Sequence, residues 1–375
     1  MTAPSVSVNH YAEQLATKTA ALEARFTELG DWATAPELEI FPSAPEHFRM
    51  RAEFRVWHAD NDLFYAMFPK GQKFNPIRIE QFPTGSLRIN ELMQPLLEAI
   101  KPNASLRQKL FQMDFLTSQT GEAAVSMLYH RQLDAEWEQT AQSLSKQFNI
   151  KIIGRARKQK LIIGGDSIIE TLQVQNRKFY YQQVENAFTQ PNAGINEKML
   201  TWACEQSAGA KTTSQPDLLE LYCGNGNFTA VLAANFDKVL ATEISKTSVK
   251  SAQHNFEMNG INNVHIARMS AEEFSSALAG DRTFRRLKDV DLSSYTFSTV
   301  LVDPPRAGLD TATTQLISRF DNILYISCNP ETLYQNVADL NKTHRITKIA
   351  IFDQFPYTDH IECGIMLKKR GLMGI

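Results

Sequence analysis

The chain has 375 residues, 43% of them hydrophobic and 21% charged, which is enough apolar material for two domain cores. A formal net charge of −2 excludes a surface basic throughout, so a polyanion could be held only on a locally basic patch. No apolar run reaches membrane-spanning length, and the opening MTAPSVSVNHYAEQ lacks the basic start and apolar core of a secretory signal.

In chain order, YAEQLATKTAALEARFTEL reads as an amphipathic helix with Leu15, Leu22 and Phe26 on its apolar face. RMRAEFRVWHADNDLFYAMF reads as a hairpin turning at Asp60-Asn61, and FQMDFLTSQTGEAAVSMLYH as a second hairpin turning at Thr120-Gly121. Arg49, Arg51 and Arg55 alternate along the first hairpin, near Phe54 and Trp57. KIIGRARKQK carries five basic residues and no acid. Such clusters suit phosphates, with neighbouring aromatics stacking on bases. A pair of solvated strand faces over core aromatics is the plainer reading of the same pattern. This half is expected to be a β-rich α+β module spanning residues 1–180.

From about residue 215 the rhythm changes. DLLELYCG, KVLATE, NVHIARM, FSTVLVDPP and NILYISC each read as a strand followed by a helical segment, and RITKIAIFDQF and IECGIMLKKR close the chain as two strands with little helix between them. This β-α alternation predicts an α/β domain over residues 181–375: a doubly wound, mainly parallel sheet of about seven strands with an antiparallel edge strand.

Ligands of such sheets bind at the carboxyl ends of the strands. LLELYCGNGNFT places Gly224 and Gly226 in a turn between a strand and a helix. Thr229, after bulky Phe228, stands where a dinucleotide fingerprint has its third glycine. Glu243 follows Gly224 by 19 positions, at the end of the next strand, where it can accept from ribose hydroxyls. Ribose recognition without a pyrophosphate site points to S-adenosylmethionine. In VLVDPPRAGL, Asp303 falls on the same edge. Arg306 stands in place of the tyrosine typical of amino-methylating enzymes, suggesting recognition of a negative charge such as phosphate. Cys328, in ILYISCNPETL, ends a strand just before a helix opened by Pro330. A thiolate favoured by the helix N-terminus and a small apolar residue closing the strand are both open to it. The four cysteines (Cys204, Cys223, Cys328, Cys363) form no CxxC pair and suggest neither a disulfide framework nor a metal centre, which makes a reducing cytoplasm the expected location.

LELYCGNGNF, VDPPRAGLD, LYISCNPETL and FDQFPYTDHIECG together resemble the RNA 5-methyluridine methyltransferase family. RMRAEFRVWH, KLFQMDFL and QVENAFTQPN resemble its tRNA branch, in order and over nearly the whole chain. No cysteine precedes Cys204, whereas relatives acting on ribosomal RNA carry an N-terminal four-cysteine iron–sulfur motif. The resemblance implies a Rossmann-like class I S-adenosylmethionine-dependent domain behind an RNA-binding domain, with no metal and no iron–sulfur cluster. It implies Cys328 as nucleophile, Glu362 as base, and Gln190, Tyr222, Asn227, Glu243 and Asp303 as cofactor contacts. Arg49, Arg51, Phe111, His130 and Arg306 are the expected RNA contacts. The implied substrate is the T-arm of tRNA and also the T-arm-like region of transfer-messenger RNA, with no membrane and no obligate protein partner. A non-catalytic RNA-binding or chaperone protein and a ribosomal RNA methyltransferase are the alternatives.

Overall fold

The structure, a computed structural model, describes residues 8–27, 36–59, 62–68, 75–208, 216–280 and 282–371. The first half contains α1 (Val8–Thr27), β1 (Leu38–Phe41), β2 (Arg51–Ala59), β3 (Asp62–Met67), β4 (Ile77–Ile79), α2 (Leu87–Ile100), α3 (Ala104–Arg107), β5 (Leu110–Thr117) and β6 (Ala123–Tyr129). Then come α4 (Ala135–Phe148), β7 (Lys151–Ala156), β8 (Gln159–Ile163), β9 (Ser167–Val174) and β10 (Arg177–Val184). The second half alternates: α5 (Ala193–Ala208), β11 (Asp217–Leu221), α6 (Asn227–Leu232), β12 (Val239–Thr242), α7 (Lys246–Met258), β13 (Val264–Ala267), α8 (Ala271–Leu278) and β14 (Phe297–Val302). It closes with α9 (Thr311–Ile317), β15 (Asn322–Ser327), α10 (Pro330–Leu340), β16 (His344–Phe352) and β17 (Glu362–Lys369).

The chain forms two compact units, one mainly from Ala44–Leu172 and Gln182–Ala193, the other mainly from Ala12–Ser43, Gln173–Tyr181 and Gly194–Ile375. The units are interleaved in sequence, where a single boundary after residue 180 was expected. α1 explains part of the difference. Its Leu22 and Phe26 lie in the apolar core of the second unit, so the amphipathic helix belongs there and not with the N-terminal module.

Among the described residues the second unit holds an eight-stranded sheet ordered β1-β16-β17-β15-β14-β11-β12-β13. β11, β12, β13, β14 and β15 pair in parallel. Of these, β11, β12, β14 and β15 are buried and read as nearly unbroken apolar runs, while β13 at the end of the sheet is half-buried. Four of the unit's helices start where the sequence supplies a side-chain cap: Ser245 for α7, Ser270 with Glu273 in a capping box for α8, Asp310 for α9, and Asn329 before Pro330 for α10. The antiparallel strand is not at the edge, as expected, but inside. β17 pairs antiparallel with both β15 and β16, and β1 adds a parallel strand outside β16. β17 is buried from Glu362 through Leu367, and so long an apolar strand needs partners on both sides.

The first unit carries a seven-stranded sheet ordered β4-β3-β2-β5-β6-β7-β8, antiparallel except between β6 and β7, which α4 connects. β2 and β3 pair as the first hairpin requires, while the Asp60-Asn61 turn itself, like the last two residues of the first helical segment, lies outside the described residues. Gly121, at φ 87°, turns the second hairpin. Phe54 and Phe115 are core residues with T-shaped ring contact, so Phe54 does not stack on a ligand.

Candidate active site

β11, β12, β14 and β15 all deliver their last residues to one edge. Because β17 runs the other way, its first residue, Glu362, arrives at that same edge. The register pairs Ser327 with Cys363 and Phe352 with Glu362. One step past β15, Cys328 therefore falls opposite Glu362. Cys328 is half-buried and Glu362 only 5% exposed.

Burial pushes the Glu362 carboxyl well above the usual carboxylate range; Asp303 raises it further and Arg306 opposes both. Burial likewise lifts Asp303 to about 7. The Cys328 thiol is pushed up to about 11, by burial first and then by the charges of Glu362 and Asp303, with Arg306 acting against them. This corrects the expectation of a thiol depressed by the helix N-terminus. The α10 cap is engaged internally: the Asn329 side chain accepts from Glu331 N–H, and Asn329 N–H donates to Ser327 Oγ. In the free protein two acids and a thiol thus compete for few charges, beside one guanidinium. Arg306 itself is exposed, with Nη2 2.9 Å from His360 Nδ1.

The glycine loop follows β11. Tyr222, Gly224 and Gly226 all have positive φ, at 63°, 57° and 79°. At Gly226 a side chain is also excluded sterically, since a Cβ would lie 2.6 Å from the Phe256 ring. At Gly224 a Cβ would meet nothing within 4 Å, so the loop faces open space. Glu243 braces this loop: one carboxylate oxygen accepts Gly224 N–H at 3.0 Å, the other Ser245 N–H at 2.7 Å. Each oxygen keeps a lone pair for a ribose hydroxyl. Ile244, 66% exposed, offers an adjacent apolar surface. Open space, an oriented carboxylate and an apolar neighbour fit an adenosine-bearing cofactor.

Other expected cofactor residues are differently disposed. The Asn227 amide exchanges two hydrogen bonds with Asn196 of α5, at 2.8 and 3.0 Å, and so anchors the start of α6. Tyr222 packs its ring against the core, and its hydroxyl is pushed up to about 12 by burial and then by Glu272. It contributes a left-handed backbone turn to the loop. Gln190 is half-buried and belongs to the first unit. One residue escaped the sequence reading. Glu220, fully buried within β11, has its carboxyl raised to about 8 by burial, with Asp303 contributing. Its signal was an acid inside a strand apolar on both faces.

In the first unit, the Phe111 and His130 rings stack at 3.9 Å and 9°, with the Arg55 guanidinium 5.7 Å from the Phe111 centroid. Phe111 and His130 line two cavities. One, of about 660 Å³, also has His58, Arg107 and Lys109; the other, of about 680 Å³, has Arg131, Arg155 and Arg157. Arg49 and Arg51 are half-buried and engaged locally, through Arg49 Nε to Arg51 O at 2.8 Å and Arg51 Nη1 to Ala187 O at 2.7 Å. Within KIIGRARKQK, Arg155 pairs with Glu185 at 2.5 Å and Lys160 with Asp166 at 2.7 Å, so that segment is less open to phosphate than its composition implied.

The order β13-β12-β11-β14-β15-β17-β16 with β17 alone reversed, and an acid closing β12 beside a glycine loop, define a class I S-adenosylmethionine-dependent methyltransferase. The sequence matches the tRNA (uracil-5-)-methyltransferase family over residues 10–370, and the chain belongs to that family. It is 51% identical over 364 residues to the tRNA/tmRNA (uracil-C(5))-methyltransferase of Acinetobacter baumannii (strain AYE), covering 96% of this chain and 99% of that one. The Shewanella sediminis (strain HAW-EB3) protein of the same name is 52% identical, covering 99% of this chain and 100% of its own. Among solved structures, Pyrococcus abyssi tRNA (uracil-54, C5)-methyltransferase in complex with S-adenosyl-L-homocysteine aligns with a TM-score of 0.69 at 22% identity. It covers 95% of this chain and 83% of that one, a likeness of fold. Among the described residues no helix is long and apolar enough to cross a membrane, and no three His, Cys, Asp or Glu side chains converge on a metal position.

Proposed function

We propose that this protein methylates C5 of the T-loop uridine of tRNA in the cytoplasm, through a covalent bond between Cys328 and uracil C6. The observation that carries the reading is the meeting of Cys328 and Glu362 across β15 and β17 at the cofactor edge. The relatives named for tRNA and tmRNA, and the structural neighbour named for uracil 54, support the substrate, and the T-arm-like region of tmRNA is proposed as a second one.

Uracil C5 is a weak nucleophile. Cys328 sulfur bonds to C6, the C5–C6 π electrons pass into an enolate, and C5 becomes nucleophilic. S-adenosylmethionine would be held by Glu243, Asp303 and the Tyr222–Asn227 loop, and would supply an electrophilic methyl group to that carbon, leaving as S-adenosylhomocysteine; Gln190 is proposed as a further cofactor contact. Glu362 then takes the C5 proton, the C5–C6 double bond re-forms, and the C6–S bond breaks to free the thiolate. Arg306 favours the ionised forms of both Cys328 and Glu362 and is suited to a phosphate of the flipped nucleotide. Phe111 and His130 present a flat stacked surface to loop bases. Arg49 and Arg51 are proposed to lie along the RNA, with Arg51 also holding the Ala187 carbonyl. No metal, iron–sulfur cluster or obligate protein partner enters this reading. A chaperone without catalysis would have no use for a buried acid opposite a thiol.

The test uses a synthetic T-arm hairpin with labelled S-adenosylmethionine. Cys328→Ala should lose methylation while remaining folded and binding the cofactor. Glu362→Gln should accumulate a protein–RNA species that survives denaturing electrophoresis and disappears when Cys328 is also replaced. Methylation at a near-normal rate by Cys328→Ala ends the covalent reading. Robust methylation of ribosomal RNA fragments with none of the hairpin ends the tRNA reading.

A further inference from the structure

The loop 353–361, which joins β16 to β17 and delivers Glu362, is held by a residue of α1 far away in sequence. The Lys18 side chain is only 7% exposed and the Asp353 side chain 0%. The Lys18 ammonium donates to Asp353 Oδ1 at 2.8 Å, to Phe355 O at 3.1 Å and to His360 O at 3.0 Å. All three ammonium protons are thereby used, and two carbonyls five residues apart are drawn to one point. Gln14, one turn earlier in α1, accepts Tyr357 N–H at 2.7 Å, where the backbone is left-handed at φ 64°. A buried ion pair contributes little net stability, because desolvation offsets the Coulomb attraction. It does fix geometry, because every alternative placement of the loop strands a buried charge.

The loop's exit is tied to the rest of the site. The His360 ring meets Arg306 Nη2 at 2.9 Å, and the Arg306 carbonyl accepts from Asn329 Nδ2 at 2.8 Å, next to Cys328. At the other end of α1, Arg25 pairs with Glu331 at 2.8 Å and lies 4.3 Å from the Tyr334 ring centroid, on the helix that follows Cys328. α1 therefore grips both chain segments that carry the thiol and the acid.

We propose that Lys18 is a positioning residue for proton removal: by clamping loop 353–361 it holds Glu362 where it can reach the C5 proton of the Cys328 adduct. The inference rests on the covalent reading above. Lys18→Met should keep cofactor affinity within about twofold by calorimetry while kcat on the T-arm hairpin falls by about ten- to a hundred-fold at little-changed KM, as expected for a misplaced base. The fraction of enzyme trapped as RNA adduct should rise, because addition and transfer still proceed and exit is slow. Lys18→Arg should recover much of the rate. If Lys18→Met does not fold, Lys18→Met/Asp353→Asn removes the stranded charge, and if that also fails, Gln14→Ala should show a smaller shift in the same direction. Glu362→Gln is measured alongside. Absence of its adduct overturns the covalent reading itself. If that adduct forms, a folded clamp variant with wild-type kcat, or with lost rate and no added adduct, overturns the role of Lys18.

Discussion

The two sheets put their chemistry in different places. In the eight-stranded sheet β11 and β15 are buried along their whole length, so only residues at strand ends reach a ligand: Tyr222, Glu243, Asp303, Cys328 and Glu362 all stand there. In the seven-stranded sheet β2 alternates, with Ala52, Phe54 and Val56 inward and Glu53 and Arg55 outward, so one face of the sheet can meet a partner directly. A parallel sheet covered on both faces forces its groups into a dry cluster, where burial shifts their proton affinities. A half-covered sheet offers solvated charge and stacking area. The first arrangement suits bond-making, and the second suits holding a polyanion.

The largest expected effect tests the dry cluster through pH. With the Cys328 thiol near 11, the thiolate that the covalent reading requires is a minority form at neutral pH, and burial holds Glu362 above the usual carboxylate range. Single-turnover methylation should therefore climb by up to about tenfold per pH unit between pH 6 and 8, while filter binding of the RNA hairpin to the other sheet changes far less. A flat rate profile would mean that the pair is ionised by its partners once assembled. Next comes Glu243→Ala, which removes a carboxylate already braced by two N–H donors. Cofactor binding should weaken by about 1–3 kcal/mol by calorimetry, with RNA affinity unchanged. Phe111→Ala should do the reverse, raising the KM for RNA by about 1–2 kcal/mol equivalent and leaving cofactor affinity intact. If either variant moves both affinities, the division of labour between the sheets is wrong.

The smallest effect concerns stability. Asp303 has an ordinary value of 3.8 and sits at about 7 when folded. Between those values the folded protein binds a proton that the unfolded chain does not, so this group's contribution to stability falls as pH rises through the window. Asp303→Asn should flatten the decline in melting temperature of the cofactor-free protein between pH 5 and pH 8.

The same contrast explains what the sequence disclosed. Residues at strand ends sit between an apolar run and a turn, and a one-dimensional pattern marks that junction; Glu243, Asp303 and Cys328 were legible for this reason. Commitments made across the fold were not. Nothing near Asn227 announces that Asn196 will occupy its amide, nor near Arg51 that the Ala187 carbonyl will. The helix 8–27 has a readable apolar stripe, but the stripe does not say which sheet it covers. The interior place of β17 could have been argued from its unbroken hydrophobicity. The high proton affinity of Cys328 could not, since it depends first on burial in the folded protein and then on two acids more than twenty residues away in the chain.

The position of β17 bears on how the enzyme comes into being. This strand follows every other strand of its sheet in the chain, yet it lies between β15 and β16, and among the described residues β1, the first of them, pairs only with β16. During synthesis the segment bearing Cys328 leaves the ribosome before Glu362 does, and the slot between β15 and β16 stays open until the final strand enters it. A chain cut before residue 362 lacks both the strand that joins β15 to β16 and the carboxyl that stands opposite Cys328. Because the last strand to insert lies in the middle of the sheet and begins with Glu362, closing the sheet and bringing that acid opposite Cys328 are a single event.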